Sequence, residues 1–297
     1  MITDLHAHTS AHPMRNLHTT SATIETLEGE ARRYGITNII LLATYFPLRG
    51  TGVHNLDLER RITGHPLFKM FGSLDVMNDV DGGLNELEIM ARAERIAGIK
   101  LYPGYQGFEP SDPRLTGVYA LAEKFNLPVM FHGGELHMCC PTAVKEHGPR
   151  PCRNLTCKLN DFAGMAHPQY VEKPAREHPR VKFVVSHLAN PYFAELRAVM
   201  ARCPNVWTDI SGQFVSGSEE DTPEYRKMIV AEIKQFLRLP RRHERVAFAS
   251  DFPIQSYADS LALIQALDLT GVDKSNVMTA NATHLLNQSY YAQQGEP

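Results

Sequence analysis

The chain has 297 residues, 43% of them hydrophobic and 21% charged, with a formal net charge of -3. This ordinary globular balance offers no basic face for a polyanion, and the longest apolar runs, such as NIILLA, are far too short to span a bilayer. A small-molecule partner is therefore expected, with no nucleic acid and no membrane, and homo-oligomerisation stays open.

The first predicted strand, ITDLHAH over residues 2–8, carries His6 and His8. Residues i and i+2 of a strand point to the same side, so the two imidazoles share a face. They are either a metal-ligand pair or a coincidence among 14 histidines. With Asp4 so early and a strand starting at once, no signal peptide is expected. The expected setting is then cytoplasmic and reducing, which disfavours disulfides.

A helical pattern around Ile24, Leu27, Ala31 and Tyr34 leads to a second strand, 37–46. LFKMFGSLD (67–75) is the third and GIKLYP (98–103) the fourth, after a helical run from Leu84 to Ile96. GVYALAEKFN precedes the fifth, LPVMFHGGE (127–135). The sixth is VKFVVSHLA (181–189) and the seventh NVWTDISG (205–212). A helical stretch, PEYRKMIVAEIKQFLR, then precedes the eighth, RVAFASDFP (245–253). The runs are apolar throughout, as parallel strands covered on both faces require. Eight strands alternating with helices predict an α/β fold, a (β/α)8 TIM barrel spanning 1–297 as one domain. No linker or internal repeat divides the chain, and it carries no Walker loop, dinucleotide fingerprint or G-x-S-x-G elbow.

In such a barrel, chemistry sits at the carboxyl ends of the strands. His6 and His8 end strand one, His132 strand five, His187 strand six and Asp251 strand eight, while Lys100 lies in strand four. Taken singly, His132 reads equally well as a hydrogen-bonded core histidine and Asp251 as a helix N-cap. Taken together, they place imidazoles and a carboxylate on a ring of strands. That set suits zinc, iron or manganese with an open position for water.

H-x-H on strand one, histidines on strands five and six and aspartate on strand eight resemble the amidohydrolase superfamily. GIKLYPGYQGFEPSDPRL, LPVMFHGGE, FVVSHLANPYFAEL, FASDFP and NATHLL resemble its amidohydrolase-related, or type 2, subgroup over nearly the whole chain. The resemblance implies that His6, His8, His132 and Asp251 hold one divalent metal, Zn2+ first, with Mn2+ or Fe2+ as alternatives. Asp251 would take a proton from the attacking water, and His187 would ligate the metal or hold the substrate oxygen or attacking water. In binuclear members a strand-four lysine is carbamylated and bridges two metals. The subgroup resembled here usually works with one metal although it often keeps that lysine, so two readings of Lys100 stand: a carbamylated bridge between two metals, with His187 on the second, or a cation for a substrate carboxylate. Candidate substrate contacts in the loops after the strands are Arg49, Tyr102, Gln106 and Asn190, with His12, His18 and His54 as weaker ones. Each of the four contacts reads equally as a surface or packing residue.

Residues 135–165 are too long for a plain connection and predict an insertion over the barrel mouth, a lid. It holds Cys139, Cys140, Cys152 and Cys157 beside His137 and His147. Three readings stand: a second, structural metal site, a disulfide, or unrelated thiols in a loop. Cys203 reads as core. Two activities follow from the resemblance. One is a metal-dependent hydrolase of an amide, lactone or related carbonyl substrate. The other is a metal-dependent decarboxylase of an aromatic or unsaturated carboxylic acid.

Overall fold

The computed structural model describes residues 1–10, 17–136, 162–238 and 243–286. Strands and helices alternate: β1 (Thr3–Ala7), α1 (Ile24–Tyr34), β2 (Asn38–Leu42), α2 (Asn55–Ile62), β3 (Phe68–Gly72), α3 (Val80–Arg92), β4 (Gly98–Leu101), α4 (Thr116–Phe125) and β5 (Val129–Phe131). Then come α5 (Glu172–Glu177), β6 (Phe183–Val185), α6 (Phe193–Arg202), β7 (Val206–Asp209), α7 (Pro223–Leu237), β8 (Val246–Ala247) and α8 (Tyr257–Ala266). This is the (β/α)8 succession of a TIM barrel, the fold class the sequence predicts.

The chain forms two compact units, one from the described residues of Met1–Ala43, Asn55–Phe71 and Trp207–Pro297, the other from those of Thr44–His54 and Gly72–Val206. In the first, β1 pairs with β2, β2 with β3 and β7 with β8, all parallel. The chain after β8 joins β1, where Leu5 N donates to Phe248 O at 3.1 Å and Ala7 bridges to Phe252. In the second unit β5 lies between β4 and β6, with Lys100 opposite Met130 and Met130 opposite Val184. Nearly every strand residue is buried, the apolar ones by hydrophobic transfer and the polar ones by hydrogen bonding.

Local sequence explains how the helices begin and end. Thr23 caps α1 by accepting from Thr26 N, and Gly35 closes that helix at φ 70, a left-handed conformation that favours glycine. Thr222 caps α7 with Pro223 in its first turn, and Ser256 caps α8. Among the described residues no helix is long and apolar enough to cross a membrane.

All eight predicted strands are present, but each stops short of its predicted carboxyl end. The sixth, expected to residue 189, ends at Val185 because His187, Leu188 and Ala189 take φ values of 63, 53 and 52. The eighth, expected to 253, ends at Ala247, and Asp251 sits at φ 62. Residues in left-handed conformations cannot continue a ladder. The predicted insertion falls largely outside the described residues, and His12, His137, Cys139, Cys140, His147, Cys152 and Cys157 lie there entirely. Cys203, the residue after α6, is buried.

Gly134 shows how tightly the loops after β5 and β6 meet. It has φ 89, and a Cβ there would lie 2.1 Å from Asn190 O, which also accepts Glu135 N at 2.9 Å. Gly134→Ala is expected to cost about 2–5 kcal/mol, the sum of a left-handed penalty and an overpacking clash. Gly29→Ala, inside α1 with nothing within 4 Å of the new carbon, is expected to stabilise by about 0.5–1 kcal/mol. Denaturant unfolding of both variants checks the pair. Equal midpoints would show that the close approach at Gly134 is relaxed at no cost.

Candidate metal centre

Three ligand atoms converge in the first unit. His6 Nε2 lies 3.3 Å from His8 Nε2 and 3.4 Å from Asp251 Oδ1, and His8 Nε2 lies 3.3 Å from the same oxygen. His6 is buried, while His8 and Asp251 are 22% and 13% exposed, so the cluster is open on one side. The backbone sets this convergence. The register of β1 against β2 shifts between Asp4 and Ala7, and the following residues bond across to the β8 loop. His6 O accepts Asp251 N at 2.7 Å, and His8 N donates to Phe252 O at 2.7 Å.

The far side of the His6 ring is fixed by Asp209, at the end of β7. Its Oδ2 lies 3.1 Å from His6 Nδ1, and Ser211 Oγ lies 3.3 Å from the same nitrogen. Asp209 Oδ1 accepts from Ser211 N at 3.1 Å and from the Ser211 hydroxyl. A fully buried carboxylate beside Nδ1 favours the tautomer that donates there, which leaves the Nε2 lone pair for the cluster. Sequence reading passed over Asp209, although it closes the apolar run NVWTD just as the other candidates close theirs.

These atoms fit a divalent metal. The edge of a tetrahedron is about 1.6 times its centre-to-vertex distance, so edges of 3.3–3.4 Å correspond to bonds of about 2.0–2.1 Å, the length of zinc–nitrogen and zinc–carboxylate bonds. Lone pairs that face one another so closely repel unless a proton or a cation lies between them. His6, His8 and Asp251 form one of the groups able to offer a metal three ligand atoms.

The second unit holds another set. His132 follows β5 with its Nε2 3.1 Å from Glu135 O, and its ring packs edge-on against Tyr105 at 4.8 Å and His187 at 5.0 Å. Lys100 is fully buried, and its ammonium donates to Ser186 Oγ at 2.8 Å and sits 5.3 Å from the centre of the Tyr102 ring. Phe46, Tyr102 and Tyr105 pack at 5.0–5.4 Å into an aromatic wall beside His132. Of the proposed substrate contacts, Tyr102 belongs to this wall. Asn190 is buried, with its backbone engaged by His187 and Glu135. Gln106 is wholly buried and spends its amide on backbone, accepting from Val76 N and donating to Tyr45 O and Leu74 O. The Arg49 backbone lies in the short turn Pro47–Arg49 after β2. His54 stacks on Tyr45 at 4.2 Å. His18 packs on Phe252, and burial pulls its pKa below the ordinary histidine value.

No curated protein matches the chain in sequence. Among solved structures, the chain is similar to a probable 2-pyrone-4,6-dicarboxylic acid hydrolase of Acinetobacter baumannii with citric acid bound, at 15% identity and TM-score 0.66 over 96% of this chain and 98% of that one. It is similar to 5-carboxyvanillate decarboxylase of Sphingomonas paucimobilis, at 14% identity and TM-score 0.65 over 96% and 98%. It is also similar to an amidohydrolase of Burkholderia multivorans with bound zinc, at 13% identity and TM-score 0.68 over 96% and 99%. At such identities the likeness establishes the (β/α)8 fold. The sequence model of one enzyme family, described as amidohydrolase, matches residues 52–288. The chain belongs to the amidohydrolase family.

Proposed function

We propose that this protein is a metal-dependent hydrolase of an amide, lactone or related carbonyl substrate. The observation that carries the reading is the convergence of His6 Nε2, His8 Nε2 and Asp251 Oδ1 at tetrahedral-edge spacing. The proposed ligand set is His6, His8, His132 and Asp251, for one divalent metal, zinc by preference. The zinc in the Burkholderia multivorans structure supports that preference. When bound, such a metal acidifies water towards neutral pH and polarises a carbonyl.

The chain's own residues then have distinct tasks. Asp251 keeps a partly exposed carboxylate, which takes the proton of the attacking water and returns it to the leaving group. Asp209 holds the His6 ring in one tautomer throughout the cycle. His187 is assigned to the substrate oxygen, and the Lys100 ammonium to a substrate carboxylate. Tyr102 and its neighbours form an apolar surface against which a flat substrate packs, with Arg49 and Asn190 as polar contacts from the loops.

A second reading, decarboxylation of an aromatic or unsaturated carboxylic acid, draws on that same aromatic wall. The likeness to 5-carboxyvanillate decarboxylase adds support, being as strong as the likeness to the pyrone hydrolase. Carbon dioxide release across a panel of aromatic carboxylic acids, run beside hydrolysis of lactones and amides, separates the two. Release without any hydrolysis would replace the leading reading with the second.

Loss of the ligand pair is expected to abolish metal binding. His6→Ala with His8→Ala should lower bound metal from about one per chain to near zero while circular dichroism stays unchanged. Elemental analysis of purified protein checks this, and full metal content in the double variant would remove both histidines from the ligand set. Asp251→Asn tests the proton acceptor, because an amide ligates weakly but takes no proton. At matched metal occupancy its kcat should fall about 10²–10⁴-fold. Near-normal turnover would transfer that role to another group.

A further inference from the structure

Asp4 accepts four hydrogen bonds beside the cluster, and none of the assigned roles uses it. It is fully buried on β1, two residues before His6. Its Oδ1 accepts from His6 N at 3.1 Å and from Ser250 N at 2.9 Å. Its Oδ2 accepts from Ser250 Oγ at 2.6 Å and from Tyr257 OH at 2.9 Å. Ser250 Oγ in turn accepts Phe252 N at 2.9 Å. One side chain thus holds the peptide of His6, the residue before Asp251 and, through one hydroxyl, the residue after it. Between those two anchors Asp251 stands at φ 62, in the left-handed region that is costly for a residue with a Cβ.

We propose that Asp4 is a positioning residue of the metal centre: its carboxylate clamps the chain around Asp251 to the chain around His6, and so sets the spacing of the two ligand atoms. The inference rests on the proposed metal reading and adds to it a residue that touches neither metal nor substrate. Burial of a carboxylate is costly, and a strand needs none for its ladder. Three of the four bonds run to the β8 loop and to α8, and the fourth runs to the backbone of a ligand.

The test is Co2+ binding by the full chain, read as a dissociation constant and as the visible absorption of the bound ion, which follows ligand geometry. Asp4→Ala is expected to weaken Co2+ binding by about 10–100-fold and to change the spectrum. Asp4→Asn keeps an acceptor for both N–H groups and donates to the two hydroxyls, and should stay within about threefold of the original protein. Asn281→Ala is the comparison. It removes a buried bond to Val246 O at the other end of β8 and should lower stability without altering the Co2+ spectrum. Should Asp4→Ala fail to fold, Ser250→Ala carries the test, with an expected loss of about tenfold.

A folded Asp4→Ala protein with unchanged affinity and spectrum overturns the inference and leaves the metal reading standing. So does an Asn281→Ala protein that loses as much affinity as Asp4→Ala, since the loss would then be general destabilisation. If the unaltered chain binds no Co2+, both the metal reading and the inference fall.

Discussion

Two backbone hydrogen bonds between β1 and the loop after β8, Asp251 N to His6 O and His8 N to Phe252 O, are the constraint on which the site depends. They bring a strand end and a loop together at the residues that carry the proposed ligand atoms. Because each bond is formed by a ligand residue or its immediate neighbour, a shift of one residue in this pairing would turn the side chains away from the cluster. The alternation of side chains along β1 and into the residue after it brings the two imidazoles together, and the left-handed turn at Asp251 brings a carboxylate oxygen to meet them. Three electron-rich atoms within 3.4 Å of one another are an arrangement that a cation relieves, so the local fold and the metal reading point the same way.

Backbone strain gathers at and beside the proposed site residues. Asp251 and His187 both have positive φ, and Gly134, two residues beyond His132, lies against Asn190 O. Ladder bonds cannot continue through such conformations, which explains why β6 and β8 are so short. The buried ladder below each strand end supplies the stability that holds the strained residues in place.

The polar residues just beyond the strands, His8, His132, His187 and Asp251, were legible in the sequence because an apolar run closing on a histidine or aspartate is a local signal. Strand count and fold class followed from the same runs, since strands buried on both faces are apolar throughout. Strand length was not legible, because where a run leaves its ladder depends on a neighbouring strand or loop distant in sequence. Gln106 shows the same limit. As a residue in a loop it read equally as a substrate contact or as a surface or packing residue, and only the fold shows its amide engaged by Tyr45, Leu74 and Val76. Asp4 and Asp209 are non-local in the same way, each having a partner more than two hundred residues away, Ser250 for Asp4 and His6 for Asp209.

The two aspartates that flank His6 differ in a way that sorts their roles. Asp209 lies 3.1 Å from Nδ1, and Asp251 lies 3.4 Å from Nε2. Asp209 has no exposed surface, and its other oxygen is bonded by the Ser211 backbone and hydroxyl. Asp251 is partly open to solvent. A carboxylate with its lone pairs committed and no water at hand is suited to holding an imidazole in place. A carboxylate that faces both the ligand atoms and the solvent is suited to passing protons between water and a substrate. Removing Asp209 would free the ring to rotate or to shift its proton to Nε2, where it would point into the cluster and occupy the lone pair that the proposed metal would need. The His6 ring therefore serves the site through both of its nitrogens, and the choice between them is made by the aspartate at the end of β7.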